Sequence, residues 1–217
     1  MEKIELKQCN EPCSDVCACN LQDFSQSREQ AVILEYFANR KGTFLDIGAN
    51  DGKTFSNTHA LALLGWDGVC VEPTDRAFAS LKELYKDNPN IKCHQFAVGN
   101  KSGIVDFWEP DDTLVATTIR SEIHKWDQGL GFKYKKKKVK MLTVTELLTI
   151  IGREAYDFVN IDTEGVDFDI LKQLYLGNIQ MVCIEVNQEH RGKYVEYFAR
   201  NGMKLVKDTG INLIFAK

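Results

Sequence analysis

Asp46-Ile47-Gly48-Ala49-Asn50-Asp51-Gly52 joins an apolar run, Thr43 to Ile47, to a helical pattern from about Phe55 to Leu64. Glycines at this spacing let the backbone turn sharply and come close to a ligand, so the stretch reads as a strand, a tight turn and a helix. Working outward, Gly65-Trp66-Asp67-Gly68 turns the chain into a second strand, Val69 to Glu72. Glu72 stands about 20 residues past the last glycine, where an acid accepts hydrogen bonds from both hydroxyls of a ribose. The two features together describe a site for a nucleoside-type cofactor.

The same rhythm continues on both sides. Ser25 can cap a helix carrying Ala31, Val32, Leu34, Tyr36 and Phe37, and residues 75–86 and 144–151 read as helices. Strands are expected over 91–98, 104–108, 157–162 and 181–186, helices over 166–176 and 189–200, and a closing hairpin over 203–207 and 211–216. Alternating strands and helices predict an α/β, Rossmann-like, doubly wound sheet, mostly parallel, with helices on both faces and a C-terminal antiparallel hairpin. Ligands in such sheets bind at the carboxyl ends of the strands. Residues 110–140 resist assignment and are expected to fold over the pocket.

A dinucleotide would set its pyrophosphate against the helix start, where the acid Asp46 is unwelcome, and the third glycine of a dinucleotide fingerprint is missing. S-adenosylmethionine offers a sulfonium and an ammonium, both of which a carboxylate favours. Taken alone, the glycine turn is also compatible with an ordinary strand-to-helix connection; the placement of Glu72-Pro73 argues for the cofactor.

Ser25-Gln26, Phe44 to Gly52, Ser56-Asn57-Thr58, Gly65-Trp66, Val71-Glu72-Pro73, Ala97-Val98-Gly99 and Ile161-Asp162-Thr163-Glu164-Gly165 resemble the motifs of the FkbM-type methyltransferases. The likeness covers nearly all of 25–217, and Asp162-Thr163-Glu164-Gly165 is its most specific part. It implies S-adenosylmethionine as methyl donor and O-methylation, often of sugar-containing substrates. It also implies that Asp46, Gly48, Ala49, Asn50 and Gly52 line the methionine end of the cofactor, Glu72 and Pro73 the ribose, and Phe96 and Ala97 the adenine edge. Gln26 would approach from the N-terminal helix, and Ser56 and Asn57 would meet the cofactor carboxylate or simply cap a helix. Val166-Asp167 departs from the family's usual pattern.

Methyl transfer to an alcohol requires alignment and removal of the hydroxyl proton. Asp162, at the end of a strand, is the expected general base or metal-holding carboxylate, with Glu164 two positions on as a second catalytic candidate or a helix-start charge. Asp162, Glu185, Asn187 and His190 could together hold a magnesium ion, or the last three could be plain loop residues. His124, Lys125, Asn187 and His190 are candidate substrate contacts.

Composition narrows the rest. Lys and Arg total 27 against 31 Asp and Glu, a balance of −4, so no global field draws the chain to nucleic acid or an anionic membrane. Six lysines crowd positions 133–140, as a solvated strand or loop or as an anion-binding strip; the latter would suit a nucleic-acid methyltransferase, the first rival reading. The second rival is a non-catalytic, cofactor-binding scaffold. No apolar run suits a membrane span or a signal peptide, which predicts a cytoplasmic protein with reduced thiols. Cys70, Cys93 and Cys183 read as small buried hydrophobes. Cys9, Cys13, Cys17 and Cys19 lie in an arm, 1–24, ahead of the domain at 25–217. Their spacing matches common zinc folds poorly, leaving a metal, a disulfide or spare thiols open.

Overall fold

The computed structural model describes residues 21–38, 40–110, 134–186 and 188–217. In chain order its elements are α1 (Glu29–Phe37), β1 (Thr43–Ile47), α2 (His59–Leu63), β2 (Asp67–Val71), α3 (Asp75–Leu84), β3 (Ile91–His94), β4 (Ala97–Val98) and β5 (Gly103–Pro110). They continue with β6 (Tyr134–Leu142), α4 (Val144–Ile151), β7 (Tyr156–Ile161), α5 (Asp167–Leu171), β8 (Ile179–Glu185), α6 (Arg191–Arg200), β9 (Lys204–Asp208) and β10 (Asn212–Ala216). Seven strands form one sheet in the order β3-β2-β1-β7-β8-β10-β9. β10 runs antiparallel to both of its neighbours, and the pairs from β3 to β8 are parallel. The architecture is therefore the expected Rossmann-like one, closed by an antiparallel hairpin.

Strand alternation divides the core. Leu45, Ile47, Val69, Val71, Val159, Ile161, Val182 and Ile184 face one side, where they pack with Leu147 of α4, Ile170 of α5 and Phe198 of α6. Phe44, Cys70, Phe158, Met181, Cys183 and Ile214 face the other, with Ile33 and Phe37 of α1, Leu61 of α2 and Leu81 of α3. A sheet buried on both faces explains why its strands read as nearly continuous apolar runs. Cys70 and Cys183 are fully buried, Cys93 is half-buried, and all three are free thiols.

Several boundaries differ from the sequence expectation, each for a local reason. The helix expected from Phe55 starts only at His59, because Phe55 adopts φ 54° and the Ser56 hydroxyl accepts the amides of Thr58 and His59. The strand expected over 91–98 is two strands: β3 pairs with β2, whereas β4 pairs with β6 in a separate three-stranded sheet. The helix expected over 166–176 stops at Leu171, beyond which Gln173 turns its amide onto the carbonyls of Gly99 and Asp169. Ser25 lies ahead of the helix it was expected to cap, which starts at Glu29, although its hydroxyl still accepts the Gln30 amide.

The lysine run forms β6, antiparallel to β5. Acids answer its charges: Asp106 pairs with Lys136 and Lys138, and Lys137 pairs with Glu109 and Asp75. Among the described residues no helix is long and apolar enough to cross a membrane. His124, Lys125, Asn187 and the four N-terminal cysteines lie outside the described residues, as does most of the arm they were assigned to.

Candidate functional site

A cavity of about 760 Å³ opens at the carboxyl ends of β1, β2, β7 and β8. Its walls include Gln26, Asp46, Gly48, Ala49, Asn50, Ser56, Asn57, Glu72, Pro73, Phe96, Ala97, Asp162, Glu164, Glu185 and His190 from the sequence reading. Gly52 is not on the wall. It packs beneath the loop, where an added Cβ would lie 2.6 Å from Leu81, and the Tyr85 hydroxyl donates to its carbonyl.

Gly48 brings the loop across the sheet. Its φ of +90° suits glycine, and a Cβ there would stand 1.7 Å from the carbonyl oxygen of Asp162. The two halves of the site, one on β1 and one on β7, are thus in backbone contact. Beside it, the amides of Gly48 and Ala49 share the Val71 carbonyl, and the Asn50 amide donates to Glu72 Oε2 at 2.9 Å.

Glu72 is buried, and its Oε1 accepts the Thr74 amide and hydroxyl at 2.8 and 2.6 Å. Burial pushes its carboxyl up and these hydrogen bonds hold it back. A carboxylate offers about four acceptor positions, so roughly one remains for a ligand donor.

Asp46 is also buried, and its neighbours fix the direction of a hydrogen-bond chain. The Thr58 hydroxyl donates to Oδ2 at 2.6 Å and Asn160 Nδ2 donates to Oδ1 at 2.9 Å. Asn160 stands directly opposite Asp46 in the β1–β7 register. Because a carboxylate only accepts, Asn160 must turn its NH2 toward Asp46 and its oxygen toward Asn57, whose Nδ2 donates at 3.0 Å. Asn57 Oδ1 is left buried, on a residue of the pocket wall, without a protein partner. Buried polar atoms are rarely left so, which makes this oxygen a position for an N–H donor. Burial raises the carboxyl of Asp46, opposed by the bonds from Thr58 and Asn160.

At the other end of the cavity, Asp162, Glu164 and Glu185 bring carboxylate oxygens within 4.8 Å of one another, close enough to hold a cation. His190 is exposed at the rim, outside that cluster. Burial and the nearby Asp167 push the Asp162 carboxyl up to about 7, while a hydrogen bond from Glu185 favours its charged form. Burial and the Asp162 charge push Glu185 up to about 11. Burial thus disfavours full ionisation of the pair. Asp167 accepts the Thr163 hydroxyl and amide and the Gly165 amide, closing the turn that displays Glu164 at φ 55°.

Gln26 sits on the turn before α1 rather than in it. That turn is anchored by Glu29, fully buried, which accepts from Thr209 in the β9–β10 connection, from Asn212 at the start of β10 and from the Ser27 amide. The sequence reading missed Asn160, Phe107, Phe168, Lys193 and Tyr194, all on the cavity wall. Asn160 carried a signal, a polar residue in the otherwise apolar inner stretch of β7; the others had none apart from their neighbours in space.

The residues present fit S-adenosylmethionine. Six acidic side chains on the wall favour a ligand with positive charge, Asn57 Oδ1 awaits an N–H donor, and Glu72 keeps a position for a hydroxyl.

A model of the methyltransferase FkbM domain matches residues 46–205, well over half of the chain. No curated protein matches significantly. Among solved structures, a provisionally assigned RNA methyltransferase from Pyrococcus horikoshii is 14% identical at a TM-score of 0.50, with 88% of this chain and 83% of that one covered. A provisionally assigned caffeoyl-CoA O-methyltransferase from Staphylococcus aureus is 10% identical at 0.50, covering 87% and 82%. Methyltransferase FkbM from Methylobacillus flagellatus KT is 12% identical at 0.48, covering 82% of this chain and 44% of that one. At such identities the structural likenesses speak for the fold alone. The family match speaks for more: this chain belongs to the FkbM methyltransferases and is an S-adenosylmethionine-dependent enzyme.

Proposed function

We propose that the enzyme methylates a hydroxyl oxygen of a small, sugar-containing acceptor, with residues 25–217 as the catalytic domain and the preceding arm peripheral to it. The observation that carries this reading is the Asp162–Glu185 pair, two carboxyl groups close together on the wall of the cavity that holds the Glu72 and Asn57 positions. An alcohol must lose its proton to become a competent nucleophile, whereas a more acidic acceptor needs less help.

In this reading Asn57 Oδ1 receives the ammonium of the cofactor and Glu72 a ribose hydroxyl, while Asp46 acts through Asn160 to keep Asn57 aimed. Gly48, Ala49 and Asn50 form the close wall, with Phe96, Ala97 and Pro73 beside the base. Ser56, by contrast, uses its hydroxyl on two helix-start amides, which favours the capping role. The bound cofactor supplies a methyl group already activated by its sulfonium. With the cofactor bound, Asp162 would accept the proton of the acceptor hydroxyl as that oxygen is methylated. Glu185, neutral, donates to Asp162 and spares the site a second full charge.

A second reading has support in the proximity of Asp162, Glu164 and Glu185: a divalent cation held there would bind the acceptor's oxygen directly. Nucleic acid is disfavoured as acceptor because acids on β5 and α3 already answer Lys136, Lys137 and Lys138. The test is methyl transfer from labelled donor to a panel of glycans, sugar derivatives, lipids and RNA, with the product's new bond identified by NMR. A methyl ether is expected; label appearing only in RNA or on nitrogen would overturn the proposal, and no transfer at all would favour the scaffold.

A further inference from the structure

We propose that the acceptor carries an anionic group, a carboxylate or a phosphate, and that Lys193 on α6 holds it while the acceptor's hydroxyl points inward to Asp162. The inference rests on the hydroxyl-methylating reading above and adds the class of acceptor.

The cavity's charges are sorted by position. Its interior carries the acidic side chains of Asp46, Glu72, Asp162, Glu164, Asp167 and Glu185, and Lys193 is the one lysine on its wall among the described residues. Lys193 Nζ lies 4.5 Å from the centroid of the Phe168 ring and 5.2 Å from that of Tyr194. It forms no ion pair with any described residue. Lys86, Lys136, Lys137, Lys138 and Lys172, by contrast, each sit against an acid. Lys172 shares the same aromatic ring, at 5.5 Å, yet pairs with Asp169 at 2.8 Å.

Nor does a cavity acid claim Lys193. Asp167 gives one oxygen to Thr163 and the other to the Gly165 amide, and Asp162 and Glu185 bond to each other. Phe168 is clamped edge-on by Tyr194 and Tyr197, with centroids at 4.9 and 5.6 Å, so the ring beneath the ammonium is fixed. The result is an aromatic ledge bearing the ammonium of the exposed Lys193 on the wall of an otherwise acidic cavity.

Such a distribution admits an anionic sugar in one orientation. Its anion is repelled by the interior carboxylates and attracted to Lys193, so the uncharged hydroxyl enters first. A neutral sugar has no such preference and would gain nothing from the lysine.

The experiment uses the full chain saturated with S-adenosylhomocysteine, titrated calorimetrically with neutral hexoses, the matching uronates and the matching sugar phosphates. Binding tighter by about tenfold or more for either anionic set is expected, as for an interaction with a charged partner. Lys193→Met should erase that advantage and Lys193→Arg should keep it. Lys204→Met, on the exposed strand β9, should leave it untouched. The better of the two anionic sets identifies the group. Equal binding of neutral and anionic sugars, or an anionic preference that survives Lys193→Met, would overturn the proposal. Because binding is read without turnover, a Lys193-dependent preference with no methyl ether formed would instead count against the hydroxyl reading. A methyl ester, placing the methyl on the anion itself, would overturn the orientation.

Discussion

Asp162 and Glu185 owe their chemistry to one another and to burial. With its carboxyl pushed up to about 7, Asp162 is ionised only above that point, so kcat/KM should rise with pH through about 7 and level off. Asp162→Asn keeps the shape and removes the charge; turnover should fall by about 10²–10⁴ with cofactor affinity nearly intact. Chelator should leave the parent unaffected if Asp162 is a direct base, and inhibition reversed by magnesium would favour the cation reading. The same pair governs stability. Folded Glu185 keeps a proton up to about pH 11 that the unfolded chain releases near the ordinary carboxyl value, so the folded state binds more protons and stability declines as pH rises between those points. Glu185→Gln should flatten that decline, and a melting series from pH 5.5 to 8.5 should show the variant gaining on the parent toward the alkaline end. Glu72→Ala should weaken cofactor binding by about 1.5–3 kcal/mol, the value of a hydrogen bond to a charged acceptor, measurable by titration calorimetry. The amino-acid sequence made these carboxylates conspicuous because each ends a strand, where open sheets bind ligands. Lys193 was invisible there, since its meaning depends on which charges surround it in space.

The loop from Gly48 to Thr58 shows what local reading can and cannot recover. Its glycines, and the strand before it, were legible because an apolar run followed by a tight turn has few alternatives. The late start of α2 was not, because it depends on the Ser56 hydroxyl occupying two amides that a longer helix would have used. The run forming β6 could be read only as a solvated strand or loop, because its lysines leave no apolar alternation; acids of β5 stand across from Lys135 and Lys138. β4 was lost because two residues pairing into a different sheet leave no periodic trace. Gly48 is where this element is least tolerant: a methyl group would meet the Asp162 carbonyl, backbone against backbone, at a φ that side chains avoid. Gly48→Ala should lower the melting temperature by about 5–10 °C and abolish measurable cofactor binding.

At the scale of the whole molecule, Leu21 and Phe24 pack against the second of the two core clusters among the described residues. Residues 1–20 carry little periodic apolar sequence, so a chain beginning at Leu21 should melt within a degree or two of the parent, whereas one beginning at Glu29 removes Phe24, which packs edge-on against His59 at 4.6 Å, and the Gln26 turn. The shorter chain should melt lower and bind cofactor less tightly; equal melting of both would mean that the turn contributes nothing. The insertion of β10 between β8 and β9 has a temporal consequence. During synthesis β8 emerges from the ribosome with one edge open, and the strand that fills it is made only after β9 has already passed. Until Ala216 clears the exit tunnel, the nascent sheet ends in an apolar edge that invites other chains, so folding is completed only after translation has passed this strand.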